Sequence, residues 1–213
     1  MKIDFVSDVS CPWCIIGLKS LEQALDRLPE LQAELHFQPF ELNPKMTAEG
    51  QDIEEHLAQK YGVTPAQTLA TRLNIKQRGA DVGFSFDMDG RSRIYNTFDA
   101  HRLLHWAGTL GAEQQHALKL ALFSAYFTNG QNPSDHETLV KIAASTGLDA
   151  ATATEVLASD AYAKEVRETE AFYQQQGISS VPSIIINDKH LIQGGQSPEV
   201  FERLLRQVSE QAA

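Results

Sequence analysis

The two cysteines of this 213-residue chain, Cys11 and Cys14, lie three positions apart with Pro12 and Trp13 between them. They follow an apolar run that predicts a strand and precede an amphipathic run that predicts a helix. At the first turn of that helix, unpaired backbone N–H groups and the helix dipole favour thiolate over thiol. In such settings the pKa of the first cysteine falls from about 8.5 to roughly 3.5 to 7.5. The pair therefore predicts a redox centre in which Cys11 is the nucleophile and Cys14 attacks the resulting mixed disulfide.

A zinc site and a pair of inert thiols are the two competing interpretations of these cysteines. Structural zinc takes four protein ligands, and the chain has no second Cys-x-x-Cys and no histidine pair near the first. Free cysteine is often buried without any reactivity. A Pro-Trp insert at a strand-to-helix junction nevertheless favours redox chemistry, and no metal is expected.

Charge and composition narrow the possible partners and compartment. Acidic residues outnumber basic ones 28 to 18, which gives a net charge of -10 and argues against nucleic acid or an anionic membrane as partner. No apolar stretch approaches the length of a membrane span, and the first residues lack the apolar region of a secretory signal. In a cytoplasmic protein a lone cysteine pair is more often catalytic than structural. We therefore expect a cytoplasmic protein.

The predicted elements follow the order strand, helix, strand, then a long helical stretch, then helix, strand, strand, helix. Strands are expected at residues 2–7 and 35–42, around a helix that begins at Pro12. Six helical segments follow between residues 52 and 157, separated by glycines that typically end helices. A helix at 162–176, a hairpin at 184–193 and a last helix complete the chain. This order predicts an α/β fold with a large all-helical insertion after the first strand-helix-strand unit.

The helical stretch contains one segment with candidate site residues, beginning at Asn96 as the expected N-cap. His101 and His105 lie one turn apart on one face, but a zincin requires glutamate after the first histidine, where this chain has Arg102. A metalloprotease is therefore excluded. Another helix carries alternating charges that predict a solvated face, namely Glu165, Arg167, Glu168 and Glu170.

Four motifs in this order resemble the FrnE-like branch of the DsbA family, within the thioredoxin superfamily. They are Cys11-Pro12-Trp13-Cys14, the segment Asn96 to Arg102, Val181-Pro182-Ser183 and Gly194-Gly195-Gln196-Ser197. The resemblance implies a thioredoxin-like domain of residues 1–44 and 158–213, with a helical insertion domain of residues 45–157. It also implies that Pro182 is a cis-proline beside the cysteines, and that the backbone of Val181 pairs with an extended substrate chain.

The resemblance also extends to substrate contacts. It implies that the segment starting at Asn96 faces the cysteines across a groove, where His101 or Arg102 contacts a substrate carboxylate or thiol; satisfied polar groups in a helix interface are the alternative. The corner at Gln196 and Ser197 opens on a helix N-terminus, which can hold a carboxylate. In related folds this corner resembles the place of the glutamyl end of glutathione, so glutathione is a possible co-substrate, with plain helix capping as the alternative.

Two departures from the thioredoxin pattern leave the direction of the chemistry open. Thioredoxins proper carry a buried aspartate where this chain has Phe5, and Asp8 is expected to have a loop or capping role instead of accepting a proton. The Pro-Trp spacer does not by itself distinguish oxidation from reduction or isomerisation of protein or small-molecule thiols.

The predicted function is thiol-disulfide exchange, and two other functions compete with it. The first is a glutathione-dependent isomerase or transferase of the hydroxychromene-carboxylate isomerase or kappa-class type, although those proteins usually have serine at the position of Cys11. The second is a binding module without turnover, which would expose a large apolar patch.

Overall fold

The computed structural model describes residues 1–87 and 89–212. Its main sheet has four strands in the order β2-β1-β5-β6. These strands are β1 (Lys2–Ser7), β2 (Glu34–Pro39), β5 (Ser183–Ile186) and β6 (His190–Gln193). Strand β1 pairs in parallel with β2 and antiparallel with β5, so Phe5 lies between Phe37 and Ile184. Because β1 is covered on both faces, its side chains from Ile3 to Ser7 are all buried, as is typical of a central strand.

The two faces of β1 contribute to different clusters, because successive side chains of a strand point to opposite sides. Ile3 and Phe5 pack in the main core with α1 (Pro12–Asp26) and α9 (Pro198–Ala212). Val6 packs on the other side, with residues near the end of α8 (Ala163–Gln175). The sheet is therefore covered by helices on both faces.

The C-terminal hairpin β5-β6 forms as the sequence predicts. Its connection contains Asn187 and Asp188, both with positive φ (51° and 56°), and these residue types tolerate that conformation in tight hairpin turns. Ile184 and Ile192 face each other across the pair and are buried. The hairpin thereby adds an apolar face to the side of β1 opposite β2.

Between β2 and α8 the described chain forms six helices and a two-stranded ribbon. These elements are β3 (Gln51–Asp52), α2 (Ile53–Tyr61), α3 (Pro65–Asp81), β4 (Arg93–Ile94), α4 (Phe98–Leu110), α5 (Ala112–Phe127), α6 (His136–Ser145) and α7 (Ala150–Ala158). Side-chain caps start several of them: Asp52 accepts from the N–H groups of α2, and Thr64 forms a capping box with Gln67. The six predicted helices are confirmed, with ends that differ by at most three residues.

Three local predictions need correction. Strand β2 ends at Pro39 and does not reach residue 42, because the chain turns away where Leu42 donates its N–H to Asp8. The ribbon β3-β4 was not predicted, since two residues per strand are too few to show an alternating pattern. The N-cap of α4 is Thr97 and not Asn96. Asn96 precedes the N-cap, and its side-chain oxygen accepts the N–H of Phe98.

The apolar interior continues from the sheet into the insertion. Helices α4 to α7 surround a second core that includes Leu103, Leu122 and Leu139. The other face of α5 places Phe123 and Phe127 in the same core as the cysteines. The division into domains of residues 1–44 with 158–213 and of 45–157 stays a prediction. None of the helices within 1–87 and 89–212 combines the length and apolar character needed to cross a bilayer.

Candidate active site

Cys11 is the N-cap of α1, and Pro12 occupies the first helical turn, where its missing N–H needs no partner. The backbone N–H of Cys11 donates to the carbonyl of Asp8 at 3.1 Å, which fixes the turn between β1 and the helix. The Cys11 side chain is only 3 % exposed. Its Sγ lies 3.8 Å from the carbonyl oxygen of Val181. The sulfur is therefore held between the helix start and the segment before β5.

A groove of about 530 Å³ lies over Cys11. Its walls come from the cysteine turn, the chain after β2, helices α2 and α3, the segment around β4, and the segment before β5. Pro12, Trp13 and Val181 line it, and their contact with a substrate stays a prediction. Cys11 thus faces a cavity of the size that holds small ligands or short chain segments.

Cys14 lies one turn further along α1 and is completely buried. Its sulfur is not bonded to that of Cys11 in this structure. Burial raises the pKa of the Cys14 thiol well above its ordinary value, and the hydrogen bond and negative charge of the neighbouring Cys11 raise it further; the charge of Lys119 acts weakly in the opposite direction. Cys14 is therefore held as a thiol while Cys11 is free to react.

The Val181-Pro182 peptide bond is cis, as the resemblance implies. The Pro182 carbonyl accepts the N–H of Gly194 at 2.8 Å. A Cβ atom on Gly17 would lie 3.1 Å from the Cα of Gly195 and 3.2 Å from Cγ of Pro182. Because both glycines lack a side chain, α1 packs directly on this corner and brings Val181 to the sulfur of Cys11.

Asp8 lies buried beneath the cysteine turn. Its carboxylate accepts the N–H of Leu42 at 2.7 Å and that of Ser10 at 3.1 Å. His101 Nε2 lies 3.7 Å from it, within ion-pair range but too far for a good hydrogen bond. Burial acts to raise the pKa of Asp8, but His101 and the two N–H donors outweigh it and the pKa is lowered. The expected loop role is only part of its function, because Asp8 also places a negative charge under the site.

Lys119 of α5 is a site residue that the sequence analysis missed. It is completely buried, and its Nζ has no hydrogen-bond partner within the described chain. Burial lowers its pKa to about 8, although the charges of Cys14, Asp8 and Cys11 act against this. A single lysine inside the apolar run Ala117 to Leu122 was the available signal.

Asn96, His101 and Arg102 are not among the residues that line the groove. Both amide atoms of Asn96 are used locally, with Nδ2 donating to the Met46 carbonyl at 3.0 Å. Arg102 donates to Asp99 at 2.7 Å and to backbone carbonyls at the end of α7, so it joins two helices of the insertion. His101 faces Asp8 and reaches the cysteines only through it.

The predicted solvated face on α8 holds for Glu165, Arg167 and Glu168, which are exposed, and is wrong for Glu170. Glu170 is buried, and Arg167 donates to both Glu170 and the buried Glu41 while its guanidinium lies 3.8 Å from the centre of the Phe98 ring. Burial raises the pKa of Glu41, and the charge of Glu170 adds to this. These charges therefore form a partly buried cluster between α8 and the insertion.

The corner after β6 uses its polar side chains within itself. Gln196 Nε2 donates to the carbonyl of Gln193 at 2.8 Å, and Ser197 Oγ accepts the N–H of Val200 at 3.4 Å. Ser197 therefore caps the N-terminus of α9, as one of the two alternatives for this corner expects. A glutathione contact at Gln196 and Ser197 stays a prediction.

A pair of unbonded cysteines at the start of the helix after a central strand, with a cis-proline segment against the first sulfur, defines a thioredoxin-fold thiol-disulfide centre. The chain belongs to the family of the DSBA-like thioredoxin domain, whose model matches residues 2–206.

Individual proteins are similar to this chain over most of its length. The probable DsbA oxidoreductase SCO1869 from Streptomyces coelicolor is 34% identical, with a TM-score of 0.91 over 97% of this chain and 89% of that one. The uncharacterized protein YwbO of Bacillus subtilis (strain 168) is 27% identical over 96% of each chain. Cytosolic disulfide reductase DsbM from Pseudomonas aeruginosa, solved with GSH, shares the fold at 15% identity, with a TM-score of 0.63 over 99% of this chain and 100% of that one. The predicted thioredoxin-like α/β fold with its helical insertion is confirmed.

Proposed function

We propose that this protein is a thiol-disulfide oxidoreductase of the FrnE-like branch, with Cys11 as nucleophile and Cys14 as resolving thiol. The observation that carries this proposal is the unequal placement of the two sulfurs. Cys11 lies at the floor of a groove, whereas Cys14 is sealed one helical turn behind it. An incoming sulfur can therefore reach only the first cysteine.

The first step is attack by the Cys11 thiolate on a substrate disulfide. A bond forms between Cys11 and one substrate sulfur, the substrate disulfide breaks, and the other substrate sulfur leaves as a thiolate. Cys11 is the N-cap of α1, and its side chain lines the groove through which the substrate sulfur arrives. Cys14 cannot compete with Cys11 as nucleophile during this step, because its raised pKa keeps it protonated.

The second step is resolution by Cys14, and the first step prepares it. The negative charge of Cys11 is one of the factors that raise the pKa of Cys14, after burial itself. In the mixed disulfide Cys11 carries no charge, so the pKa of Cys14 falls. The Cys14 thiolate then attacks the Cys11 sulfur, which releases the substrate thiolate and forms the Cys11-Cys14 disulfide. Run in reverse, the same steps oxidise a substrate dithiol.

The backbone of Val181 supplies the wall against which a substrate chain lies, and Pro12 and Trp13 line the groove beside Cys11. The FrnE-like assignment, the cytoplasmic compartment and glutathione as a co-substrate at Gln196 and Ser197 belong to this proposal. They draw support from the fold shared with DsbM, a cytosolic disulfide reductase solved with GSH.

Trapping of the mixed disulfide tests the proposal. Cys14→Ser protein is incubated with oxidised low-molecular-weight disulfides and with cell extract, and adducts at Cys11 are identified by mass spectrometry. Without the resolving sulfur, adducts should accumulate in amounts close to one per chain with a small disulfide. The matched control is the Cys11→Ser protein, in which Cys14 remains buried and should form almost none.

A glutathione-dependent isomerase or transferase is the competing function, and the same protein distinguishes the two. That class does not need a resolving thiol, so its turnover would survive in the Cys14→Ser protein. Absence of Cys11 adducts, together with saturable glutathione-dependent turnover of a small substrate, would reject the redox proposal.

A further inference from the structure

We infer that the substrate of Cys11 is a low-molecular-weight thiol or disulfide that combines an apolar body with a carboxylate group. This inference rests on the proposed function and specifies what the groove over Cys11 holds. Three properties of the groove carry it: its apolar walls, its enclosure, and the sign of its charges.

The walls of the groove are apolar. Helix α2 contributes Ile53 and Leu57, helix α3 contributes Ile75, and Ile94 and Trp13 close the sides. Ile53, Ile75 and Ile94 are each less than 9 % exposed, so they present fixed surfaces to an occupant. Transfer of an aromatic or aliphatic group from water into such a site is favourable by about 25 cal/mol for each Å² buried.

The groove is also enclosed. Cys11 is 3 % exposed, and residues of α2 and α3 form part of the wall around the groove. The volume of about 530 Å³ lies within the range of small-molecule sites. A disulfide on the flat surface of a folded protein cannot bring its sulfur into contact with Cys11 across this wall, whereas a small molecule can enter.

The charges that line the groove are positive, in a chain whose net charge is -10. Arg72 and Arg91 supply them, and none of its described lining residues is an aspartate or glutamate. His56 also lines the groove, but burial and the charge of Lys60 lower its pKa, so it adds no positive charge near pH 7. Arg72 forms ion pairs with Glu54 at 3.7 Å and Asp89 at 3.5 Å, which partly neutralise its charge.

Arg91 is the stronger anion-binding candidate. Its guanidinium carbon lies 4.9 Å from the centre of the Phe127 ring and 5.1 Å from that of Tyr126. Its Nε is buried without a hydrogen-bond partner in the described chain. A guanidinium held on aromatic rings beside an apolar cavity is suited to a carboxylate, which forms charge-assisted hydrogen bonds with it.

The reaction of such a substrate is balanced within the site. The Cys11 thiolate displaces the first substrate thiolate, and the Cys14 thiolate displaces the second. One substrate disulfide is reduced by two electrons, the cysteine pair is oxidised by two electrons, and the protons of the two thiols pass to solvent.

The test compares two aromatic disulfides that differ in charge. Reduced wild-type protein is mixed with 5,5′-dithiobis(2-nitrobenzoate), which has a carboxylate on each ring, or with its neutral diamide, and release of the coloured thiolate gives second-order rate constants. Each constant is divided by that for free N-acetylcysteine with the same probe. The normalised constant should be about tenfold or more higher for the carboxylate probe, and this ratio should fall with rising salt.

Variants assign this preference to the groove. Arg91→Met keeps an apolar side chain on the aromatic rings, and it should reduce the carboxylate-probe constant about tenfold while changing the diamide constant less than about twofold. Arg91→Lys should restore part of the loss. Arg78→Met is the matched control, because Arg78 is an exposed residue of α3 outside the groove.

The outcomes separate the inference from the proposed function. If both probes react at equal normalised rates, or a folded protein disulfide reacts as fast as the carboxylate probe, the substrate inference is wrong while thiol-disulfide exchange stands. If neither probe reacts with Cys11, the proposed function itself fails. If Arg91→Met unfolds the protein, the wild-type ratio of the two probes still decides.

Discussion

The ammonium group of Lys119 lies 5.0 Å from the centre of the Phe123 ring, and a second ring, that of Phe37, lies 5.8 Å away. Contact with aromatic faces partly replaces the hydration that the buried cation has lost. No hydrogen-bond acceptor in the described chain completes this replacement. The site thus contains a buried ammonium group whose lost hydration is only partly replaced. The negative charges of Cys14 and Asp8 both favour its protonated form.

Substitution of Lys119 by methionine should stabilise the protein at neutral pH. Its pKa is lowered from 10.5 to about 8. Between pH 8 and 10.5 Lys119 is more protonated in the unfolded chain than in the folded protein. Its titration therefore makes the free energy of unfolding rise as the pH increases from about 8 to 10.5. Lys119→Met should therefore raise the free energy of unfolding at pH 7 by on the order of 3 kcal/mol, and this gain should vanish near pH 10.5. Urea denaturation at several pH values measures it.

The same substitution should slow resolution of the mixed disulfide. Lys119 lowers the pKa of Cys14, so its removal leaves less Cys14 thiolate. The mixed disulfide with a small thiol should then persist severalfold longer in a rapid acid-quench experiment. Exposed Lys164→Met is the control and should change neither quantity. A less stable Lys119→Met protein at pH 7 would show that the charge is instead well compensated.

Asp8→Asn should destabilise the protein strongly. The carboxylate accepts two N–H groups, and an asparagine can offer its carbonyl to only one of them while its amide opposes the other. The cost should be about 2 to 4 kcal/mol by denaturant unfolding. Exposed Asp26→Asn, at the end of α1, serves as the control and should cost less than about 0.5 kcal/mol.

Asp8 also predicts a specific pH dependence. Its pKa in the folded protein is lowered, so its contribution is fully present above the unfolded carboxyl pKa and is lost as the pH falls through the folded value. The free energy of unfolding of the wild-type protein should fall as the pH drops below about 4. In Asp8→Asn the part of this fall that comes from Asp8 should be missing. If the free energy of unfolding falls equally with pH in both proteins, Asp8 is not the source of the acid dependence.

Gln115→Leu should loosen the insertion from the sheet. Gln115 of α5 accepts the N–H of Phe37 at 2.9 Å and donates to its carbonyl at 3.0 Å, so it satisfies the outer edge of β2. A leucine of similar size leaves both groups buried and unpaired, at a cost of about 2 to 4 kcal/mol. Hydrogen exchange should show faster loss of the Phe37 amide proton than in the control Gln114→Leu, which alters an exposed neighbour.

Gly17→Ala should be destabilising, although alanine is the better helix former by about 1 kcal/mol. The new Cβ would approach the backbone of Gly195 to 3.1 Å and Pro182 to 3.2 Å. Separation of α1 from this corner should cost about 1 to 3 kcal/mol and reduce the rate of Cys11 with small disulfides. A gain in thermal stability would show that the corner moves without cost.

Periodic and local features could be predicted from the sequence, and features built from distant residues could not. The helices of the insertion and the hairpin at Asn187 follow from spacing and turn residues over a few positions. Glu170 was misassigned because charges at spacings of three resemble a solvated face, whereas it is buried beside Arg167, whose other partner Glu41 lies 126 residues away. The position of Lys119 near the cysteines likewise depends on how α5 packs, which no local pattern encodes.

The sheet order β2-β1-β5-β6 also governs when the site is completed during synthesis on the ribosome. The nucleophile and its first supporting strands are made early, whereas Val181 and β5 are translated after the whole insertion. Until those late strands emerge and pair with β1, the dithiol of the nascent chain lacks one wall and is open to any oxidant. The groove over Cys11 is therefore completed only after the whole insertion has been synthesised.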